Sequence, residues 1–493
     1  MDAHRLYRAT GPKKITSFRR KLLTSSASDL PLSLDRDAAE SLGSQLRRRL
    51  LEAIRSGALR RGVRLPSTRA LAGQLGVSRP LVVDAYAQLA AEGYLALRQG
   101  ARPMVIVDRS SAPGPDAQDV PAADSIRFDL RPAMPDVGMF PRKAWMRAIR
   151  TVLNNLPASD LGYGDLRGSP VLRRALADYL GRVRGVIADP SRIFVTSGFA
   201  EGRALTCAAF YARGARRLAV EDPSYSEWSS VDRSGLSRLP IPVDAHGMRV
   251  EALAGSGAEA VFVTPSHQFP IGGVLSAERR QYLVRWLRER DALALEDDYD
   301  AEFRYDQAPV GALQGLAPDR IVYAGTASKT LAPALRLGWL VVPPDLVGPM
   351  NAELRRWSEG PPRIDQDALA ELIGSGAYDR QLRRMRRLYR DRRNHLLTRL
   401  REALPGLKVE GAAAGLHVTL QLPQDVDAGG EAAILAALLR RGFATEGLGR
   451  YSATAAGPRR LFLGYGRISE SGIDHSVRIL SEILAGRPMR GAS

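Results

Sequence analysis

A lysine and an acidic run about thirty residues before it have the types and spacing of a site for an aldehyde cofactor. Lys329 lies in Gly-Thr-Ala-Ser-Lys (325–329), and the acidic run is Leu-Glu-Asp-Asp-Tyr-Asp (295–300). A lysine amine can form an imine with an aldehyde, and the Asp297 carboxylate can keep a pyridine nitrogen protonated so that the ring withdraws electrons. Tyr299 is placed to donate to a phenolic oxygen on such a ring. Together these residues predict a pyridoxal phosphate pocket.

Groups that suit a phosphate follow the lysine closely. Arg336 lies seven residues after it and can grip a phosphate with two hydrogen bonds, supported by the hydroxyls of Thr326 and Ser328. Short apolar runs at 292–295 and 320–324 precede the two motifs and predict strands. We therefore expect both motifs just beyond strand ends, where open α/β sheets bind ligands.

Four further motifs occur in order before the acidic run and the lysine segment. They are Tyr-Gly-Asp-Leu-Arg-Gly (163–168), Val-Thr-Ser-Gly-Phe (195–199), Val-Glu-Asp-Pro-Ser-Tyr (220–225) and Thr-Pro-Ser-His-Gln-Phe-Pro-Ile-Gly (264–272). With these motifs, residues 127–487 resemble a fold-type I aminotransferase, and within that group the effector domain of the MocR/GabR regulators. The resemblance implies an α/β fold with a large, mainly parallel sheet and a small C-terminal α/β subdomain.

The resemblance also implies roles for residues outside the lysine and acidic motifs. Tyr225 would stack on the cofactor ring, and Ser197, Gly198 and Phe199 would open a helix toward the phosphate. Free N–H groups at a helix start form an anion site, which agrees with the second role. Tyr163 would reach the phosphate of a neighbouring subunit, so the resemblance implies a homodimer with shared pockets.

One departure from the aminotransferase pattern concerns the ring oxygen of the cofactor. Related aminotransferases have an asparagine before Pro-x-Gly, whereas this chain has Phe269 before Pro270. A phenyl ring cannot hydrogen-bond the ring oxygen, so Tyr299, helped by His267 or Gln268, must do so. The alternative is that His267 is an ordinary core histidine.

A second departure concerns substrate recognition near the C-terminus. The arginine that grips a substrate α-carboxylate in aminotransferases falls at Phe462 in this chain. Arg459 and Arg460 are the candidate substitutes for binding an effector. The resemblance therefore leaves amino-acid turnover in doubt.

Residues 41–107 contain an independent pattern of short helices and strands. Apolar spacing predicts a helix over 44–55, a second from Ser67 to Gly76, and a third beginning at Ser78 as N-cap. Two short strands, 94–97 and 104–107, are predicted to follow as a hairpin. Two helices around a glycine turn form a helix-turn-helix.

The same segment resembles the GntR winged helix through Leu-Pro-Ser-Thr-Arg-Ala-Leu-Ala (65–72) and Gly-Val-Ser-Arg (76–79). This implies an N-terminal winged helix-turn-helix that binds double-stranded promoter DNA. The candidate DNA contacts are Ser67, Thr68, Arg69, Ser78, Arg79 and Arg102.

The charge distribution favours a polyanionic partner. The net charge is +18, of which +11 lies in the first 107 residues. A second arginine-rich stretch, 380–393, has apolar residues at helical spacing. It predicts an amphipathic surface helix with a solvated arginine face and not a second DNA site.

Composition divides the chain into four segments. Residues 1–30 form a basic extension that we expect to be disordered, 31–107 the winged helix, 108–126 a Pro- and Gly-containing linker, and 127–487 the aminotransferase-like domain. The single cysteine, Cys207, suits a reducing compartment and has no metal-ligand spacing around it. We see no apolar run of membrane-spanning length and expect a cytoplasmic, nucleoid-associated protein.

These patterns support three hypotheses of function. The first is a pyridoxal phosphate-dependent transcription regulator that senses pyridoxal phosphate or an amine or amino-acid effector at Lys329. The second is a working aminotransferase with an accessory DNA-binding domain. The third is a DNA-binding repressor whose pocket has no remaining role.

Overall fold

The computed structural model describes residues 32–38, 40–107, 126–305, 310–357, 360–411, 413–454 and 458–486. The chain divides into two compact units, Met1–Val120 (unit 1) and Pro121–Ser493 (unit 2). The division falls within the linker expected at 108–126. The expected basic extension 1–30 and nearly all of that linker lie outside the described residues.

The described residues of unit 1 form three helices and a two-stranded hairpin. Its elements are α1 (Leu42–Arg55), α2 (Thr68–Leu75), α3 (Arg79–Ala91), β1 (Leu95–Ala96) and β2 (Met104–Val105). Helix α1 begins two residues before the predicted start, because the Ser41 hydroxyl accepts from the Ser44 N–H at 3.3 Å and caps the helix there. Gly76 ends α2 with φ 62°, a left-handed conformation that suits glycine.

The helices of unit 1 enclose a small apolar core. Leu46 and Leu50 of α1 pack with Leu71 of α2 and with Val82 and Tyr86 of α3, and all are buried. The hairpin strands pair antiparallel. The result is the predicted winged helix-turn-helix.

Unit 2 begins with a short strand that pairs with residues 443–444 and continues with the strands of its large sheet and the helices between them. In chain order they are β3 (Phe128–Asp129), α4 (Arg142–Asn155), α5 (Pro170–Arg184), β4 (Ile193–Thr196), α6 (Phe199–Ala212), β5 (Arg217–Asp222), α7 (Ser229–Ser234), β6 (Ser237–Asp244), β7 (Gly247–Met248), α8 (Leu253–Ser256), β8 (Ala260–Val263), α9 (Ala277–Glu289), β9 (Leu293–Asp297), β10 (Ile321–Thr326) and β11 (Gly338–Val341).

The large sheet has the strand order β4-β11-β10-β9-β8-β5-β6-β7 in the described residues. The strands from β10 to β6 are parallel, while β11 runs antiparallel to both its neighbours. Strands β8 and β9 are buried along their whole length, as expected of parallel strands covered on both faces. The carboxyl ends of β4, β5, β8, β9 and β10 therefore meet at one edge of the sheet.

The C-terminal part of unit 2 forms a smaller subdomain. Its elements are α10 (Val347–Trp357), α11 (Arg363–Gly374), α12 (Ala377–Ala403), β12 (Val409–Glu410), β13 (His417–Gln421), α13 (Ala428–Arg440), β14 (Phe443–Ala444), β15 (Glu446–Gly447), β16 (Arg460–Gly464) and α14 (Glu470–Ala485). A sheet of order β12-β13-β16-β15 forms its centre. This arrangement confirms the predicted fold class for both units.

Candidate functional site

The predicted cofactor residues converge at the carboxyl edge of the large sheet. Ser197 follows β4, Tyr225 lies three residues after β5, and His267 follows β8. From the sequence we expected the acidic and lysine motifs just beyond strand ends. Instead, Asp297 and Thr326 are the last residues of β9 and β10, which fixes their backbones in the sheet.

Asp297 is a buried carboxylate with one oxygen still lacking a partner. Its Oδ2 accepts a hydrogen bond from the Tyr225 hydroxyl at 2.7 Å. Its Oδ1 is buried and has no hydrogen-bond partner in the described part of the chain. Burial raises the pKa of this carboxyl to about 8. The site therefore offers a buried acceptor to a donor that the chain itself does not supply.

Lys329 presents an amine that its surroundings keep less basic than usual. Desolvation lowers its pKa, and the negative charges of Asp300 and Asp297 oppose that shift only in part. Among the described residues, no hydrogen bond or ion pair holds the amine. A lysine with a lowered pKa has a larger uncharged fraction, which is the nucleophilic form.

The start of α6 combines backbone N–H groups with a nearby cation. Gly198 precedes the helix with φ 93°, and a Cβ placed there would lie 3.4 Å from Cζ of Arg336. The guanidinium group therefore sits against the helix start, and within the described residues it forms no ion pair. Thr326 donates to Ser328 at 2.9 Å, which holds both hydroxyls together. The Ser197 N–H donates to Glu201. A helix start beside a fixed cation can bind a phosphate.

His267 joins Tyr299 to a carboxylate that the sequence analysis did not single out. Its Nδ1 lies 2.9 Å from Oδ2 of Asp300 and 2.9 Å from the Tyr299 hydroxyl. Its Nε2 is buried without a partner in the described residues, so this histidine is not a fully hydrogen-bonded core residue. If Nδ1 carries the proton and donates to Asp300, the Tyr299 hydrogen is free to point elsewhere. In the sequence, Asp300 could have been noticed as the last acid of the Asp-Asp-Tyr-Asp run (297–300).

Aromatic rings form one wall of the site. Tyr225 stacks on Phe269 with centroids 4.9 Å apart and planes inclined by 16°. Phe269 meets Tyr451 edge-on at 5.2 Å, and Tyr451 meets Phe462 at 5.4 Å. Phe462 is fully buried. Tyr451 was missed by sequence reasoning, because only the fold brings its segment to this edge.

Three predicted residues lie in other surroundings. Arg460 forms an ion pair with Glu410 and lines a cavity of about 420 Å³ whose lining does not include Lys329. Arg459 lies directly before β16. Tyr163 is 95% exposed in the single chain. Their proposed contacts with an effector or a second subunit remain predictions.

Buried carboxylates next to the site hold its loops in place. Glu221, at the end of β5, accepts from the Thr264 N–H at 3.3 Å and from Gln268 Nε2 at 3.2 Å. Asp298 forms a buried ion pair with Arg184, with a Nε to Oδ2 distance of 2.7 Å. No separate sequence signal marked these contacts, because their partners come from distant segments.

The candidate DNA contacts lie on the surface of unit 1. Ser67, Arg69, Ser78, Arg79 and Arg102 are exposed, and Thr68 is partly buried. Ser67 caps α2 by accepting from the Ala70 N–H at 3.2 Å, and Arg79 Nε donates to the Thr68 hydroxyl at 3.4 Å. Ser78 occupies the N-cap position of α3, as predicted, but its side chain makes no capping hydrogen bond. Its hydroxyl thus remains available to a ligand.

Comparison with protein families identifies both units. Residues 42–105 match the family of bacterial regulatory proteins, gntR family, and residues 136–458 match aminotransferase class I and II. The chain is 34% identical over 448 residues to the HTH-type pyridoxine biosynthesis transcriptional regulator PdxR of Corynebacterium glutamicum, covering 90% of this chain and 96% of that protein. It is 33% identical over 420 residues to the probable rhizopine catabolism regulatory protein MocR of Rhizobium meliloti, covering 80% and 85%.

Solved structures agree on the fold of unit 2. An archaeal alanine:glyoxylate aminotransferase matches with a TM-score of 0.66 at 24% identity, covering 73% of this chain and 90% of that one. Such a likeness shows the fold alone. None of the described helices has both the length and the apolar run needed to cross a membrane. The chain belongs to the MocR-type transcriptional regulators, in which a GntR-type winged helix is joined to a class I and II aminotransferase domain.

Proposed function

We propose that this transcription regulator holds pyridoxal phosphate at Lys329 and that events at this lysine change its affinity for operator DNA. Unit 1 would bind the promoter, and unit 2 would sense the ligand. A ligand changes DNA binding only if its affinity differs between the DNA-binding and non-binding conformations. Covalent attachment at Lys329, or its exchange for a ligand amine, is an event large enough to supply such a difference.

The observation that carries the proposal is the partnerless Oδ1 of Asp297. A protonated pyridine nitrogen is a donor of the kind this buried oxygen lacks. Lys329 would provide the attachment point, Tyr225 a stacking surface, and Tyr299, held by His267, a donor to the ring oxygen. When bound, the cofactor supplies an aldehyde that bonds covalently to an uncharged amine.

The phosphate of the cofactor would bind at the start of α6. Gly198 and Phe199 would offer backbone N–H groups, Ser197 would offer its hydroxyl because its N–H donates to Glu201, and Arg336 would offer a guanidinium fork. The hydroxyls of Thr326 and Ser328 would complete this side of the site. The support for this assignment is the position of the Arg336 guanidinium group, whose Cζ lies 3.4 Å from the point where a Cβ at residue 198 would stand.

The sensed molecule would be pyridoxal phosphate itself or an amine that is not recognised through a carboxylate. Phe462, buried against Tyr451, cannot pair with a carboxylate. Arg460 is already paired with Glu410. The name of the Corynebacterium relative refers to pyridoxine biosynthesis, which favours the vitamer.

A homodimer would complete the site. Tyr163 is free in the single chain to reach the phosphate of a second subunit. Met146 and Leu153 on one face of α4, and Leu161 after it, are 60%, 52% and 64% exposed. Exposed apolar side chains close together are typical of interfaces. Sedimentation velocity should give twice the chain mass, and a monomer at micromolar concentration would exclude shared pockets.

The second candidate function is amino-group transfer as the main activity. It is favoured by the retention of Lys329, Asp297 and Tyr299, the groups that a first half-reaction requires. Steady turnover of an amino donor and a keto acid at rates usual for enzymes, about 1–1000 per second, would support it. We propose the regulatory role instead, because this chain has Phe462 at the position where aminotransferases have the arginine that binds the substrate carboxylate.

The direct test is a DNA titration with and without pyridoxal phosphate, followed by fluorescence anisotropy of a fragment from the chain's own promoter region. We expect the dissociation constant of the wild type to shift on adding the vitamer, and Lys329→Ala to abolish that shift. Lys143→Ala changes an exposed lysine on α4 and serves as the matched control. An unchanged dissociation constant in wild-type protein shown to hold the cofactor would refute the sensing role.

A further inference from the structure

Helix α12 carries a row of arginines on its solvent face that no acidic side chain of the described residues neutralises. Arg380, Arg383, Arg384 and Arg387, here called the arginine stripe, are all exposed. None of their guanidinium groups forms an ion pair within that part of the chain. From the sequence we expected this face to be solvated and not a second DNA site.

The stripe is a single surface of one long helix. Residues three, four and seven apart lie on the same face, so all four side chains point to one side. Tyr378, Met385 and Tyr389 are buried on the opposite side, which anchors α12 and directs the stripe to solvent. From the first arginine to the last is seven residues, or about 10 Å along the axis.

Holding these four charges together destabilises the free helix. Each member of the stripe lies three residues from one other member and four from another, spacings at which like charges repel. Some exposed arginines of unit 2 have acidic partners, such as Arg182 with Asp379 at 2.9 Å and Arg441 with Glu482 at 2.9 Å, whereas the stripe places four without an ion pair to any described residue on one helix face. Asp391, the nearest acid on the next turn, lies 3.9 Å from Arg390 instead. The stripe is therefore a candidate binding site for a polyanion outside the chain.

We infer that the arginine stripe binds the sugar-phosphate backbone of the DNA that unit 1 recognises. The inference rests on the proposed function, because it needs DNA to be present. A duplex carries one charge per about 1.7 Å, so a 10 Å stripe faces about six phosphates. Guanidinium forks suit phosphate oxygens, and such contacts add affinity without reading sequence.

The salt dependence of DNA binding measures these contacts directly. The variant Arg380→Gln, Arg383→Gln, Arg384→Gln and Arg387→Gln keeps helix-forming side chains and removes four charges. The slope of log affinity against log salt should become less steep by about 0.9 for each phosphate that the variant no longer neutralises, up to about 3.6 for each stripe that contacts the DNA and about 7.2 for the two stripes of a homodimer. The measurement is a set of anisotropy titrations of full-length protein from 50 to 300 mM KCl, roughly the range in which such slopes are resolved.

Two controls separate the stripe from general charge and from misfolding. Replacing all four residues by lysine should keep the slope, because the charges remain. Changing four scattered exposed arginines to glutamine, Arg249, Arg285, Arg290 and Arg440, removes the same charge and should leave the slope near the wild-type value.

Each outcome decides the inference. A wild-type slope in the glutamine stripe variant overturns it and assigns the stripe to another anion, such as an acidic protein. An equal fall in the scattered variant also overturns it, because net charge alone would then be responsible. If the wild type binds no DNA, the proposed function fails first, and the two failures are thus distinguishable.

Discussion

Replacing Asp297 by asparagine should raise the stability of the cofactor-free protein while it weakens cofactor binding. The carboxyl is fully buried at the end of β9, and burial raises its pKa from 3.8 to about 8. Asparagine has nearly the same shape, and its oxygen can still accept from the Tyr225 hydroxyl. The substitution therefore removes the ionisable group without removing the side chain.

The difference between the folded and unfolded pKa values of Asp297 sets the direction of its effect on stability and the pH range over which that effect changes. Because the folded pKa lies above the unfolded one, the stability from this group is fully present below pH 3.8 and is lost as the pH rises to about 8. The difference of about 4 pKa units corresponds to at most about 6 kcal/mol, and relaxation and water penetration reduce it. Glu221 and Glu296, whose pKa values burial raises to about 7, are present in both proteins and cancel.

The assay is thermal unfolding at pH 5.5, 7.0 and 8.5, a roughly even spread across the range set by the two pKa values. Without cofactor, the Asp297→Asn variant should melt above the wild type, by a margin that widens with pH. With pyridoxal phosphate the margin should shrink at every pH, because the wild type gains a charge-assisted hydrogen bond worth about 1.5–3 kcal/mol, or about 10- to 150-fold in affinity. Asp425→Asn alters an exposed carboxylate and is the control. A margin independent of pH, or unaltered cofactor affinity, would refute this reasoning.

Three further predictions test other parts of the site and of unit 1. Arg336→Gln should weaken binding of pyridoxal phosphate about 10-fold or more and leave that of pyridoxal nearly unchanged in equilibrium dialysis, because only the former carries a phosphate; equal losses would place the phosphate elsewhere. Arg69→Ala should weaken operator binding by about 1–3 kcal/mol in an anisotropy titration, with Arg60→Ala as an exposed control in the same unit; equal effects of both would remove Arg69 from specific recognition. Tyr299→Phe should raise the pH at which the absorbance of bound cofactor changes, since the hydroxyl favours the ionised ring oxygen; an unchanged titration would mean that the hydroxyl does not touch the ring.

The sequence predicted those features that depend on local spacing. The order of residue types around Lys329 and Asp297, each behind an apolar strand, was enough to place them at one sheet edge. The helices of unit 1 followed from apolar periodicity and from Gly76 as a stop signal. Only the start of α1 differed, because the capping hydroxyl belongs to Ser41 and local periodicity does not include it.

Features that depend on tertiary packing could not be predicted in this way. Asp300 pairs with His267 across 33 residues, and Tyr451 reaches Phe269 from the C-terminal subdomain. The sequence also could not show that the arginine stripe lacks acidic partners among the described residues. A sequence does not tell which acids lie within reach of a helix face. Such contacts depend on segments far apart in the chain.

The most direct test of the central claim is to reduce the cofactor-loaded protein with borohydride and locate the added mass by peptide mass spectrometry. We predict one modified site at Lys329, and a DNA dissociation constant that no longer responds to added amines once the bond is reduced. Modification at another lysine, or protein that binds no vitamer after soaking in excess, would contradict the account.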